Sequence, residues 1–479
     1  MMRLRSLRGA VLVSAASILA ACSTMPRDRA EAPQLPAVWQ DAPAGAELAV
    51  TDWWRQFNDP TLDTLVADAL QNGPSIQLAV SRIREARALS YQTLTRYLPE
   101  LTATGQGQYT RAIEDGALPT AAGGTEREQM TGAYGAQATW EIPLFGRIEA
   151  AAIGARANTQ GARADLRAAQ VSLVADVAQA YVDLRAAQAS RAALQRSAQI
   201  SDELSGILQI SARAGFASEA DAADARRAAA TTRTRIPGII IETRRAENVL
   251  AVLRGVAPGA EPEAIRTALT QANAPVPHLE LTAAPAAPAD LLRLRPDVAR
   301  AEAQTLLAAA SVSDARNALL PQINLTGSIN VSEAMIGDPT GVGATIGSAT
   351  PFISIPLFDW GSRFATIRQR DAQFDQALIQ YRQTVTQAVA EASNALVALD
   401  QGRLRLDAAN EAEAAANVAA RGSRAAYEAG IQSLSDRLRS EQQLIEAELT
   451  RIDSEALQAR AAIATYRAFG GGPVIETRN

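Results

Sequence analysis

From Arg147 to Arg213 the chain runs for about 67 residues without a proline, and from Trp360 to Glu428 it does so again. Both stretches are rich in Ala, Arg, Glu and Gln, residues that favour helix. The abundance of alanine also lets helices approach closely. At ~1.5 Å per residue each stretch makes a helix roughly 100 Å long. A soluble core cannot bury such a rod, so each must pack lengthwise on another as a coiled coil. Each ends at a glycine-centred break, "ARAGFASEADAADAR" (212–226) and "YEAGIQSLSDRLR" (427–439). Both breaks place an Asp six residues after the glycine, as Gly215/Asp221 and Gly430/Asp436. A second helical stretch follows each break. In the first half it contains Pro237, which is expected to kink or split it.

The rods belong to a unit that occurs twice, an arrangement that internal repeats reveal before anything else. Pro74 and Pro296 each open a helical segment closed by Leu-Pro, at Pro99 and Pro321. Alternating segments follow. In "LTATGQGQYT", Leu101, Ala103, Gly105, Gly107 and Tyr109 share one face, against Thr102, Thr104, Gln106, Gln108 and Thr110. In "INLTGSINVS", Ile323, Leu325, Gly327, Ile329 and Val331 oppose Asn324, Thr326, Ser328, Asn330 and Ser332. In "AYGAQATWEI", Tyr134, Ala136, Ala138, Trp140 and Ile142 share a face. A fourth segment, about 344–356, is less regular and contains Pro351. A period of two with an apolar face and an uncharged polar face fits a membrane barrel. Alternation by itself also fits a soluble hairpin pair with one face on a core. "WEIPLFGR" (140–147) and "ISIPLFDWGSR" (353–363) then join strand to long helix. Pro143 and Pro356 end the ladder, Phe145 and Phe358 are apolar exits, and Gly146 and Gly361 let the chain turn.

The chemical inventory is thin. The chain has one Cys, one His and no Lys, so all 46 basic residues are Arg. That excludes a P-loop and a Schiff-base lysine. His278 lies in the Pro-rich connector "NAPVPHLEL" without convergent partners for metal or base chemistry. "GVGATIG" (341–347) lacks a helix start at phosphate-loop spacing and reads as a hairpin. No metal or diffusible cofactor is expected.

Residues 1–21 have the build of a secretory signal: Arg3, Arg5 and Arg8, then a short apolar stretch from Val11 to Ala21. It ends in Leu19-Ala20-Ala21-Cys22, which resembles a bacterial lipobox. That resemblance implies cleavage before Cys22 and covalent lipid on its thiol. Ser23 after the cysteine favours, by the same resemblance, the outer membrane. An ordinary signal peptide with an incidental cysteine is the alternative. Residues 22–52, Pro/Ala/acid-rich and without period, read as an extended tether.

The order and spacing of these pieces resemble the TolC-like outer-membrane efflux factors, and most closely their lipoprotein branch. The carrying residues are the lipobox, "DWWRQFNDPTLDTLVADALQNGPSIQLAVSRIREA" (52–86), "RIPGIIIETRRAENVLAVLRGVAP" (235–258), "LLRLRPDVARAEAQ" (291–304) and "ISIPLFDWGSR". The resemblance implies a mainly α fold with transmembrane β. Each protomer of a homotrimer would give four strands to a twelve-stranded barrel and its long helices to a periplasmic helical barrel, with a mixed equatorial region. The expected layout is a first repeat at 53–256, with strands about 99–112 and 131–143 and long helices about 147–213 and 217–255. A connector at 257–295 follows. The second repeat, 296–470, has strands about 321–333 and 344–356 and long helices about 360–428 and 432–468, before a tail at 471–479.

The implied function is a passive channel of a tripartite efflux system, with a periplasmic adaptor and an inner-membrane RND-type pump as partners. Outer-membrane lipid is a further partner, and nucleic acid is not. The two glycine breaks would form the periplasmic tip, with Gly215, Phe216, Ser218, Asp221, Gly430, Ile431, Ser433 and Asp436 at the adaptor contact. Arg421, Arg424 and Glu428, with Asp436, are candidates for a gate; solvated-face charges explain them as well. Three rivals remain open here. A conduit for a secreted protein or polysaccharide would look the same. A coiled-coil envelope lipoprotein would not need the four strands. An envelope hydrolase would need a nucleophile–base constellation that this inventory hardly supplies.

Overall fold

The computed structural model describes residues 51–112, 118–119, 125–126, 128–270, 275–279, 294–336 and 344–473. Cys22 and almost all of the expected tether lie outside them. A 3-10 turn, Trp53–Phe57, leads into helices α1 (Pro60–Asn72) and α2 (Pro74–Thr95). Strands β1 (Glu100–Arg111) and β2 (Glu128–Ile142) follow, then α3 (Arg147–Arg213), α4 (Glu219–Leu253) and a short α5 (Glu263–Thr270). The second half gives α6 (Pro296–Asn317), β3 (Gln322–Ile336), β4 (Ala344–Ser354), α7 (Ser362–Glu428) and α8 (Leu434–Ala468). Two dipeptides between β1 and β2, Leu118–Pro119 and Thr125–Glu126, also pair. The described residues fall into two compact units: 83–161 with 301–381, and 51–82 with 162–300 and 382–473.

The first unit holds one antiparallel sheet in the order β1-β2-β3-β4. The register keeps the alternation in phase across β1, β2 and β3 and carries it to Ile353 of β4. Leu101 faces Ala138, Trp140 faces Leu325, Ala136 faces Ile329, and Ile323 faces Ile353. A slip by one residue would put every apolar side chain on the polar face, so this agreement fixes the pairing. Gly135 permits close approach, because a Cβ there would collide with the Asn330 side chain and come within 2.5 Å of the Ile329 carbonyl oxygen. Beside the sheet, Ala309 and Val312 of α6 pack on Phe374 of α7, with Ala308 and Leu378 alongside.

The second unit is packed by heptads. On α8, Leu438, Ile445, Ile452, Ala459 and Tyr466 are buried at every seventh position. Val385, Ala392, Leu399 and Leu406 repeat this on α7, and Leu173, Ala180, Ala187 and Leu194 on α3. A seven-residue period keeps one stripe facing a partner helix along a supercoil, and small residues in it bring the backbones close.

Four helix ends share one construction. At Gly215, Gly255, Gly430 and Gly470 the backbone is left-handed, with φ from +69° to +80°. The residue after each glycine donates its N–H to a carbonyl five residues back: Phe216 to Ser211, Val256 to Ala251, Ile431 to Ala426, and Gly471 to Tyr466. These are Schellman stops, which satisfy carbonyls orphaned at the helix end.

One expectation needs correction, and two elements gain detail. Pro237 does not split its helix, for α4 is continuous from Glu219 to Leu253. Pro237 and Gly238 sit on the exposed side, between the buried Thr232 and Thr243, so the carbonyl that proline leaves without a helix partner is on a side open to solvent. The connector 257–295 contains the helix α5, which apolar periodicity could not reveal in only eight residues. In β4, Ile346 and Phe352 fall on the otherwise polar face, so that strand does not alternate as the others do.

Candidate functional site: sheet faces, junctions and helix turns

The two faces of the sheet differ in chemistry, not only in hydrophobicity. One carries Leu101, Tyr109, Tyr134, Trp140, Leu325, Ile329 and Ile353, and most of them are exposed in the single chain. The other carries hydroxyls and amides. The Ser328 and Ser348 hydroxyls lie 2.8 Å apart across β3 and β4, and the Asn330 amide donates to Ser328 Oγ at 3.2 Å. β1 and β4 each have one unpaired edge.

At the strand-to-helix junctions the chain turns through two consecutive left-handed residues. These are Phe145 (φ +55°) with Gly146 (φ +77°), and Trp360 (φ +56°) with Gly361 (φ +80°). Glycine accepts that conformation freely, whereas a bulky aromatic is strained by it. The sequence shows only the glycine; its aromatic partner is a structural finding. The Asp359 carboxylate holds the second turn by accepting from Gly361 N at 3.2 Å and from Arg363 N at 3.1 Å. Phe358 and Trp360 meet edge to face at 4.8 Å, and Trp360 is 91% exposed. At the first junction Glu141 pairs with Arg147, and Trp140 Nε1 donates to the Tyr97 carbonyl at 3.0 Å. Pro143 and Pro356 lie just past the ends of β2 and β4.

The two helix turns are built alike. Ser218 caps α4: Asp221 N donates to Ser218 Oγ at 3.0 Å, and Ser218 Oγ donates back to the Asp221 carboxylate at 2.7 Å. Ser433 caps α8 the same way, with Asp436 N donating at 3.2 Å and Ser433 Oγ donating at 2.6 Å. The Asp that recurs six residues after each glycine is therefore the reciprocal partner of a helix cap. Its hydrogen bonds to Ser218 hold the Asp221 carboxyl below the usual carboxylate range. Phe216 and Ile431, 89% and 79% exposed, project from the two turns.

Of the gate candidates, Arg424 donates to Glu441 at 2.9 Å, and Arg437 reaches the same carboxylate at 3.2 Å while lying over the Tyr427 ring. Arg421 and Glu428 are exposed. Among the described residues no group of His, Cys, Asp and Glu could hold a metal ion, and no helix is long and apolar enough to cross a membrane.

Sequence reasoning missed a buried fastening in the second unit. Trp53 stacks on Tyr466 at 4.8 Å, and Tyr466 OH donates to Gln56 at 2.9 Å. Tyr181 OH donates to Asp59 at 2.7 Å and accepts from Arg185 Nε at 3.0 Å. Arg185 also donates to the Ala268 carbonyl, and Gln188 to that of Leu269, so a row on α3 caps the C-terminal end of α5. The two Trp and the Asp-Pro of "DWWRQFNDP" were the available signal.

The family model for outer membrane efflux proteins matches residues 65–256 and 287–471, one segment per repeat. The chain belongs to the outer membrane efflux protein family. This efflux protein is 29% identical to the outer membrane protein OprJ of Pseudomonas aeruginosa, over 95% of the chain and 94% of OprJ. It is 26% identical to the pyoverdine export outer membrane protein OpmQ of the same organism, over 98% of the chain and 97% of OpmQ. Its structure resembles that of the outer-membrane channel OprN, with a TM-score of 0.75 and 27% identity, covering 93% of this chain and 99% of OprN. The efflux protein is thus an outer-membrane channel component of a Gram-negative export system and not an enzyme.

Proposed function

We propose that three copies of this chain close a twelve-stranded barrel and serve as the passive conduit through which small toxic molecules leave the cell. The observation that carries this is the sheet: four strands, uncharged on both faces in their middle stretches, with both edges open. Unpaired edge N–H and C=O groups are untenable in lipid, and four strands cannot close on themselves. Single-chain barrels begin at about eight strands, so other copies must supply the rest. The trimer number comes from the family resemblance. Each half of the sheet continues into a 67-residue helix, which supports a tube prolonged into the periplasm.

An adaptor meets the turns at Gly215 and Gly430, and an inner-membrane pump supplies the cargo. The exposed Phe216 and Ile431 support the turns as the contact, because these apolar tips on capped helices are left uncovered by the described residues. Cys22 carries lipid that anchors the conduit beside its own barrel. The gate is set by the charges flanking the second turn, Arg421, Arg424 and Glu428.

The test is expression in a Gram-negative host that lacks its own outer-membrane efflux component, together with the matching pump and adaptor. Restored resistance to dyes and detergents, with a heat-resistant trimer in outer-membrane fractions, is the expected result. A monomer, or a trimer at normal level without any gain of resistance, overturns the reading.

A further inference from the structure

The polar face of the sheet is interrupted by large apolar side chains at two positions, both on β4. The register sets Phe352 opposite Asn324 and Ile346 opposite Asn330, on the face that carries Ser348, Thr350 and Ser354. Phe352 is 60% exposed and Ile346 61%, so neither packs into the chain that carries it. Between them the Asn330, Ser328 and Ser348 side chains are hydrogen-bonded in a row, which makes this stretch of the face polar. In the proposed trimer a neighbouring copy would not bury them either. The strand that would close against β4 is another β1, and its residues on this face are Thr102, Thr104, Gln106 and Gln108. Nor can they meet across the lumen, since a twelve-strand wall is wider than the eight-strand barrels that side chains fill. Water on an exposed phenyl ring is unfavourable, and neither folding nor assembly relieves it here.

We infer that Phe352 and Ile346 are cargo contacts, two apolar levels on an otherwise polar lumen wall that engage the alkyl or aryl part of a passing molecule. This rests on the conduit reading above. Six residues at ~3.3 Å separate the levels by roughly 20 Å along the strand, with Phe352 near the junction to α7 and Ile346 toward the far end. Glu100 and Glu141 lie on this face at the junction end, where Glu141 pairs with Arg147; beyond them the positions at 102–108, 131–139, 324–330 and 346–354 carry no charged side chain. Beyond that junction end, selection on this wall is by apolar surface and not by charge. A molecule with an apolar arm is held briefly at each level, whereas a small ion passes without contact.

The full-length protein reconstituted in planar bilayers tests this with tetraethyl-, tetrabutyl- and tetrapentylammonium, equal in charge and rising in apolar surface, added on the side of the β3–β4 loop. In the wild type, block should strengthen about tenfold from the ethyl to the pentyl compound. Phe352→Ser and Ile346→Ser should each flatten that rise severalfold, while Phe352→Leu, which keeps an apolar side chain, should retain most of it. Ile353→Ser, one residue along and on the opposite face, should leave it unchanged; a chloride-carried current should be the same in all. An equal rise in wild type and in the Phe352→Ser/Ile346→Ser double variant overturns the inference. So does loss of the rise in Ile353→Ser, which would mean the faces are reversed. No conductance at all would instead overturn the conduit reading, and this inference with it.

Discussion

Gly430 and Gly470 share a backbone conformation but differ in what surrounds them. Around Gly430 a Cβ meets nothing within 4 Å, whereas at Gly470 it would lie 2.7 Å from the Leu294 carbonyl oxygen. The left-handed penalty, about 1–2 kcal/mol for any L side chain, applies to both. Only Gly470 adds a collision with backbone that cannot move aside. Gly470→Ala should therefore reduce trimer abundance in outer-membrane fractions. Gly430→Val should leave abundance normal and impair drug resistance through the distorted turn. Loss of the trimer in Gly430→Val would place that glycine in the fold's core and remove the case for the tip. Gly255, 2.9 Å from the Asn72 carbonyl oxygen in the first repeat, is the counterpart of Gly470. The fastening tyrosines give a second prediction. Burial, reinforced by the hydrogen bond to Asp59, pushes Tyr181 up to about 12, and burial does the same to Tyr466. An unfolded tyrosine ionises near pH ~10. A raised folded-state value means stability that is complete below about pH 10 and lost as the pH climbs toward 12. Thermal unfolding of the wild type followed across that window should fall more steeply than that of a Tyr181→Phe/Tyr466→Phe variant. Equal slopes would mean that the two hydroxyls do not hold their protons in the fold.

At the scale of elements, the sheet supplies a graded test of which face meets lipid. Ile329 is central in β3, while Leu325 is only three residues from its start at Gln322. Arginine on the lipid face costs about 2–4 kcal/mol at the midplane and about 0–1 near the interface. Ile329→Arg should abolish the heat-resistant trimer, Leu325→Arg should weaken it, and Asn324→Arg on the polar face should be tolerated. Indifference to all three would mean that β3 does not contact hydrocarbon. Much of this architecture is legible in the sequence. The strands show because both faces alternate without charges, and the rods show because no proline interrupts them. Other parts are hidden for physical reasons. A left-handed Phe145 or Trp360 leaves no mark in composition, because the conformation is imposed by the chain on either side. The Asp221 and Asp436 repeat was visible as spacing, but its capping role depends on where each helix starts. That Ile346 and Phe352 share a face with Ser348 follows from counting; that this face is the polar one required the register to β3. Pro237 misled because proline breaks a helix only when its lost bond cannot be replaced, and here that side faces water.

The 479 residues contain no lysine. If Cys22 carries both thioether lipid and an N-acyl group, residues 22–479 hold no primary amine. An amine-reactive ester should then fail to label the purified wild type. It should label Cys22→Ser once, at whichever residue begins that chain. A single label on the wild type, or a free amino terminus elsewhere by mass spectrometry, rules out the N-acylated form. The adjacency of β2 and β3 reaches further. Trp140 pairs with Leu325, so the central seam of the sheet joins residues from the two repeats. At roughly 5–20 residues per second, β2 waits something like 10–40 s after its own synthesis for a neighbour. Through that interval its edge is an unpaired template in an aqueous compartment, open to pairing with any strand of another unfinished copy. The duplication that lets one chain supply two hairpins thus also leaves every nascent protomer with an open β2 edge until the second repeat arrives.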